Sequence, residues 1–196
     1  MIKVRGKSVT IKNNYFIGNA PNASTVIQLG DGRSGYIIRN NTFNIESSGG
    51  LIGVYSLNTA TADFITSGRN NLFIIETGSP YGFGSQNSVN GEITAATNNY
   101  FIFTGTEYFN ILGGSTGTND KSGSADLLDS TVTKTNFTNA DALNGTITRI
   151  TLFNIITTAL TPTASSILID AGSALDSGDP LTINGTRDIG AAEYSP

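Results

Sequence analysis

The sequence predicts an all-β solenoid, a parallel β-helix of about four regular coils followed by an irregular C-terminal coil and cap. Three observations point there. A short motif recurs: "VTIKNNYF" (9–16), "IIRNNTF" (37–43), "RNNLF" (69–73) and "TNNYF" (97–101) each set two asparagines ahead of an aromatic. The first asparagines, at 13, 40, 70 and 98, are spaced 27, 30 and 28 residues apart, a period typical of stacked repeat units. No 3.6-residue apolar period is sustained, which excludes helical repeats. Leucine-rich repeats have a similar period, but their regular leucines are missing. Propeller blades are longer and would carry hairpin signals.

The elements follow in order. "SVTIK", "YIIR", "FITSGR" and "EITAAT" are β-prone stretches that lead into the asparagine pairs. Phe16, Phe43, Phe73 and Phe101 follow the pairs and are expected inside, as an aromatic stack. A second apolar run comes later in each unit: "VIQL", "LIGVY", "YGFG" and "FNIL". Gly, Ser, Asn and Thr fill the intervals, as turns require. Stacking explains the repeated asparagines. Asn13, Asn40, Asn70 and Asn98 are expected at one corner, where asparagine tolerates the left-handed conformation and can pass hydrogen bonds along the axis. Residues 1–112 therefore read as regular coils. Residues 113–196 read as a loop (113–135), an irregular coil with β character over 145–157, and a capping segment, all in the same domain. The cap is expected to cover the C-terminal end of the solenoid, since an open coil exposes strand edges. The stretch "IKVRGKSVTIK" starts in strand-like sequence with no capping helix. It suggests a domain cut from a longer polypeptide, or a subunit stacked on a neighbour.

The four coils over residues 9–112 resemble right-handed parallel β-helix proteins of the pectate-lyase-like superfamily, in which "NNxF" coils are frequent. The tail adds a second likeness. "SILIDAGSALDSG" (166–178) and "RDIGAAEY" (187–194) look like the "PAIDAGS…DIGAYE" ending of many secreted bacterial β-helix proteins, alginate-lyase-like members among them. This chain departs from that ending with Ile167-Leu168 in place of "PA" and Ala192 where an aromatic is common. The resemblance implies a right-handed coil and a place among polysaccharide-active proteins. Such folds host many functions, so it does not select an activity.

Composition narrows the chemistry. The 196 residues suffice for one domain with a sizeable core, and 38% are hydrophobic while only 13% are charged. A net charge of −4 argues against a general nucleic-acid binder. Cysteine and histidine are both absent, which excludes disulfides, thiolate metal sites, histidine triads and the usual zinc sites. No apolar run approaches the ~20 residues that span a bilayer, so no membrane role is expected. The N-terminus has no apolar core of signal-peptide type. Either a signal has been removed or the chain leaves the cell otherwise, for example inside a phage particle. Low charge with abundant Asn, Thr and Ser suits an extracellular, cell-surface or virion location.

In-register stacking places charged residues without coordinates. Lys12, Arg39 and Arg69 precede three asparagine pairs, with Thr97 before the fourth, and should form a basic column. Such a column could bind an acidic polysaccharide along the axis; the plainer alternative is three solvated turn residues partnered by carboxylates. Glu46 and Glu76 share an offset on adjacent coils, where the outer coils have Asn19 and Thr104. That pair could hold Ca²⁺ or act in glycoside hydrolysis, or simply face water. No other cofactor is implied. Asp170, Asp176, Asp179 and Asp188 could offer calcium ligands, though "DSGDP" lacks EF-hand spacing. Tyr55, Tyr81 and Tyr108 recur at intervals of 26 and 27, but their coil offsets do not align. No catalytic motif matches position by position. The expected function is a non-catalytic module directed toward polysaccharide. The alternatives are a polysaccharide lyase of alginate or pectate type, and a structural tail-spike or filament subunit.

Overall fold

The computed structural model describes residues 2–19, 25–30, 35–46, 51–56, 65–76, 80–85, 96–103, 109–110 and 121–122, with short stretches of the C-terminal segment between 154 and 189. The first coil contains β1 (Ile2–Val4), β2 (Thr10–Lys12) and β3 (Tyr15–Asn19). The second contains β4 (Thr25–Leu29), β5 (Tyr36–Arg39) and β6 (Thr42–Glu46). The third contains β7 (Leu51–Ser56), β8 (Ile65–Arg69) and β9 (Leu72–Glu76). The fourth contains β10 (Pro80–Ser85), β11 (Ala96–Thr97) and β12 (Tyr100–Phe103). A fifth layer adds β13 (Phe109–Asn110) and β14 (Lys121–Ser122).

Each strand pairs with its equivalent one coil away, which makes three sheets: β1-β4-β7-β10-β13, β2-β5-β8-β11 and β3-β6-β9-β12-β14. Every pairing among the described strands is parallel. The architecture is a right-handed parallel β-helix of four coils with a fifth, irregular one.

The phenylalanine column forms as expected. Phe16, Phe43, Phe73 and Phe101 are in register. Their rings stack at 4.7, 4.6 and 5.3 Å, and Phe43, Phe73 and Phe101 are buried while Phe16 is half-buried. Ile27, Leu29, Ile38, Ile45, Val54, Ile75 and Phe83 fill the rest of the lumen. Two glycines make room for the rings. A Cβ on Gly53 would lie 2.7 Å from Phe73 Cε1, and one on Gly82 would collide with Phe101 Cε1.

The asparagine pair divides its labour in a way the motif alone did not reveal. The first members, Asn13, Asn40, Asn70 and Asn98, do occupy the corner, each with a positive φ of 52–56°. The second members carry the hydrogen-bond ladder. Asn14 Nδ2 donates to Asn41 Oδ1 at 3.1 Å, Asn41 Nδ2 to Asn71 Oδ1 at 3.0 Å, and Asn71 Nδ2 to Asn99 Oδ1 at 3.0 Å. Backbone N–H groups of Asn14, Asn41 and Asn71 donate to the same oxygens. The reason is local. A left-handed first residue turns the chain sharply, and the second side chain then points back along the corner, where it is fully buried in the inner coils.

Beyond the fourth coil the structure departs from the sequence reading at two places. Lys121–Ser122, inside the stretch read as loop, pairs with Tyr100–Phe101 as the edge of the third sheet. Residues 154–155 and 157–158, at the end of the stretch read as β, are helical. There the Thr161 hydroxyl donates to the Thr157 carbonyl at 2.8 Å, a bond that competes with neither strand nor sheet. Most of the tail read as a cap lies outside the described residues, but three of its described residues have a clear place. Leu160, Leu168 and Ile189 are buried against Leu72, Ile74 and Tyr100 on the outer face of the third sheet, with Tyr15 and Ile17 packed alongside. Apolar residues on both faces of that sheet demand this second cover. Ile189 N–H donates to the Leu168 carbonyl at 3.1 Å, so the two tail motifs meet there.

Candidate functional site

The cations named by their offsets do come into register. Lys12 lies opposite Arg39, Arg39 opposite Arg69, and Arg69 opposite Thr97. Neighbouring strands in a sheet are about 4.8 Å apart, so the column rises by that step along the axis. Ile38 is in the lumen and Ile11 packs against it, so the residues beside them in β2 and β5 emerge on the outer face.

The asparagine corner holds the column in place. Asn14 Nδ2 donates to the Lys12 carbonyl at 2.8 Å, Asn41 Nδ2 to the Arg39 carbonyl at 3.0 Å, and Asn40 N–H to the Arg69 carbonyl at 3.1 Å. The backbone from which the three cations project is therefore fixed by the ladder. Exposure differs along the column. Arg39 is 8% exposed, whereas Lys12 and Arg69 are half-buried. Adjacent like charges at this spacing repel by roughly 1 kcal/mol in water, and by several times that at a protein surface.

Sequence offsets alone had not picked out the neutral row beside the column. Two residues earlier on the same outer face, Thr10, Ile37 and Ser67 are also in register. The signal was present in the two-residue period of the strands, because i and i−2 share a face. The result is a row of small and aliphatic side chains with the cations along one side.

Glu46 and Glu76 are in register at the ends of β6 and β9, with Asn19 opposite Glu46 in the first coil. The structure does not bring them to the cations. Strand β6 separates Glu46 from the corner, a run of roughly 13 Å at about 3.3 Å per residue. Among the described residues no group of three or more Asp, Glu, His or Cys could hold a metal ion. Thr104 and the tail aspartates Asp170, Asp176, Asp179 and Asp188 lie outside the described residues.

Tyr55 and Tyr81 do not share a register position. Tyr55 is in register with Gln28 and Gly84, while Tyr81 is in register with Ile52; Tyr108 lies outside the described residues. The outer face of the third sheet is also unavailable around β9 and β12, because the chain's own tail covers it. Among the described residues no helix is long and apolar enough to cross a membrane. The chain matches no protein-family model, no curated protein and no solved structure.

Proposed function

We propose that this protein is a non-catalytic, polysaccharide-directed module of a secreted or virion-surface assembly. It takes an acidic glycan on the outer face of the second sheet, parallel to the solenoid axis. The observation that carries this reading is the register that stacks Lys12, Arg39 and Arg69 on successive coils. A polyanion meets such a column with repeated charge at a fixed rise, while the row of Thr10, Ile37 and Ser67 offers a bed for sugar rings. The likeness of the "NNxF" coils and the "RDIGAAEY" ending to pectate-lyase-like β-helices lends independent support. The separation of the carboxylate pair from the cations favours binding over bond cleavage.

Exposure assigns different roles within the column. Lys12 and Arg69 supply the accessible charges, and the nearly buried Arg39 adds to the local potential from beneath. The test is titration of alginate, pectate and a neutral glucan into the protein at low and at about 0.1 M ionic strength, where exposed charges beyond ~10 Å are screened. Binding of the acidic polymers alone, weakened by salt and by Arg69→Gln, is the expected result. Equal affinity for the neutral glucan, or no effect of Arg69→Gln, would remove the column as the site. Ultraviolet absorbance of the mixtures tests the lyase alternative, since unsaturated uronate products would appear only if bonds are broken.

A further inference from the structure

The chain's own tail finishes the outer face of the third sheet, and the join has two unusual properties. The first is what holds it. Leu72, Ile74 and Tyr100 of the sheet are buried with Leu160, Leu168 and Ile189 of the tail in one apolar cluster, separate from that of the lumen. The backbone hydrogen bonds of the described tail, by contrast, run within the tail. Thr161 N–H donates to Thr158 O, Ser166 N–H to Thr163 O, Ile169 N–H to Ser166 O and Ile189 N–H to Leu168 O. Among the described residues the tail thus carries a backbone framework of its own and meets the coils through apolar side chains. Apolar burial is non-directional, so such a contact can part without unravelling a strand ladder.

The second property is what lies in the middle. Asn44 stands between Ile17 and Ile74 in one register row, and both neighbours pack in the tail cluster. Asn44 is completely buried, yet neither its Nδ2 nor its Oδ1 has a hydrogen-bond partner. In the sheet alone this amide would face water, because Phe43 before it and Ile45 after it take the lumen side. Docking of the tail is therefore the step that strips the amide of water, leaving a donor and an acceptor unmade. That cost falls on tail docking and not on coil formation. Isoleucine on either side shows that the row accepts an aliphatic side chain, so packing does not demand the amide.

We propose that the tail is a releasable strap: it lifts from the third sheet while the coils stay folded, and the unpartnered amide of Asn44 sets how often it lifts. Closed, the strap keeps Leu72, Ile74 and Tyr100 out of water. Open, it returns Asn44 to water and bares an apolar strip that steps from coil to coil, with Leu72 and Tyr100 in register. The strip lies on a different sheet from the cations Lys12, Arg39 and Arg69, so the strap stands independently of the glycan reading. Sub-global opening of this kind belongs to the units held by the fewest backbone bonds to the rest of the fold.

The chain has no cysteine, so single thiols can report the opening. Ile74→Cys sets one under the strap, and Ile38→Cys sets one in the lumen. Maleimide labelling in native buffer is expected to be about tenfold faster, or more, for Ile74→Cys than for Ile38→Cys. Low urea is expected to speed the lumen thiol steeply and the strap thiol little, since global unfolding exposes far more surface than strap release. Adding Asn44→Ile is expected to slow labelling of the strap thiol about tenfold, because the closed state no longer buries an unmade amide. Hydrogen exchange gives the same comparison without a thiol, and decides the matter if either cysteine variant fails to fold. In the natural chain the Ile189 amide, bonded to Leu168 O, is expected to exchange faster than the Leu72 amide, bonded to Asn41 O, and Asn44→Ile is expected to slow Ile189. Equal labelling rates with equal urea dependence, or equal exchange of the two amides, would show that strap and coils open together and overturn the proposal. Labelling or Ile189 exchange that Asn44→Ile leaves unchanged overturns it too, since Asn44 would then not set the opening.

Discussion

At the scale of single residues, the corner shows how one dipeptide meets two opposed demands. The left-handed turn needs a residue that tolerates positive φ, and the ladder needs a side chain that both donates and accepts. Asn70 supplies the first and Asn71 the second. Asn71→Asp keeps the shape but sets a carboxylate oxygen against Ile38 O and Asn99 Oδ1, both acceptors in the native structure. One carboxylate oxygen keeps the two Asn41 donors, but a buried charge whose other oxygen faces two acceptors is expected to cost about 3–5 kcal/mol, read from urea melts. The aromatic column gives a second contrast. Phe43→Ala leaves a cavity between two rings and is expected to cost about 3–5 kcal/mol. Phe16→Ala, at a half-buried site stacked on one side, should cost clearly less in the same assay. Equal losses would mean that the first coil is covered.

At the scale of strands, the third sheet is an element with two apolar faces. Its inner face holds the phenylalanines and its outer face holds Ile17, Asn44 and Ile74 in one register row. Asn44 is the misfit. It is completely buried, and neither its Nδ2 nor its Oδ1 has a hydrogen-bond partner. Asn44→Ile, which copies its neighbours in the row, is expected to stabilise the protein by about 1–3 kcal/mol, the usual penalty of an unpaired buried amide. Thermal and urea melts would check it. These strands were largely legible beforehand, because Phe16, Phe43 and Phe73 recur at fixed offsets and each sits in a β-prone stretch. So were the cationic column and the carboxylate pair, which need only a coil register. The ladder role of Asn41 and Asn71 was hidden, since neighbouring asparagines look alike until backbone angles separate them. The outer cover was hidden as well. Leu168 and Ile189 are far in sequence from Leu72 and Ile74, and no repeat period connects them.

At the scale of the whole molecule, the coils form a stack in which each touches chiefly the one before and the one after. Among the described residues Lys12, Arg39 and Arg69 step from coil to coil along that stack, the arrangement on which the proposed polymer ligand rests. Salt-weakened binding of an acidic glycan is the measurement that belongs here. The register has a further consequence, for time rather than for structure. Contacts such as Phe16 with Phe43 and Asn71 with Asn99 join residues 27 and 28 positions apart, so ordering one coil leaves only a short loop to close before the next. Opening should then proceed from the ends inward, as in a chain of nearest-neighbour couplings. Amide hydrogen exchange is expected to be fastest in β1 and β2 and slowest around β5, β6, β8 and β9, with a graded slope between. A single uniform rate across the coils would mean that the stack opens all at once. A graded slope would make the β-helix a zipper whose first tooth is Asn14.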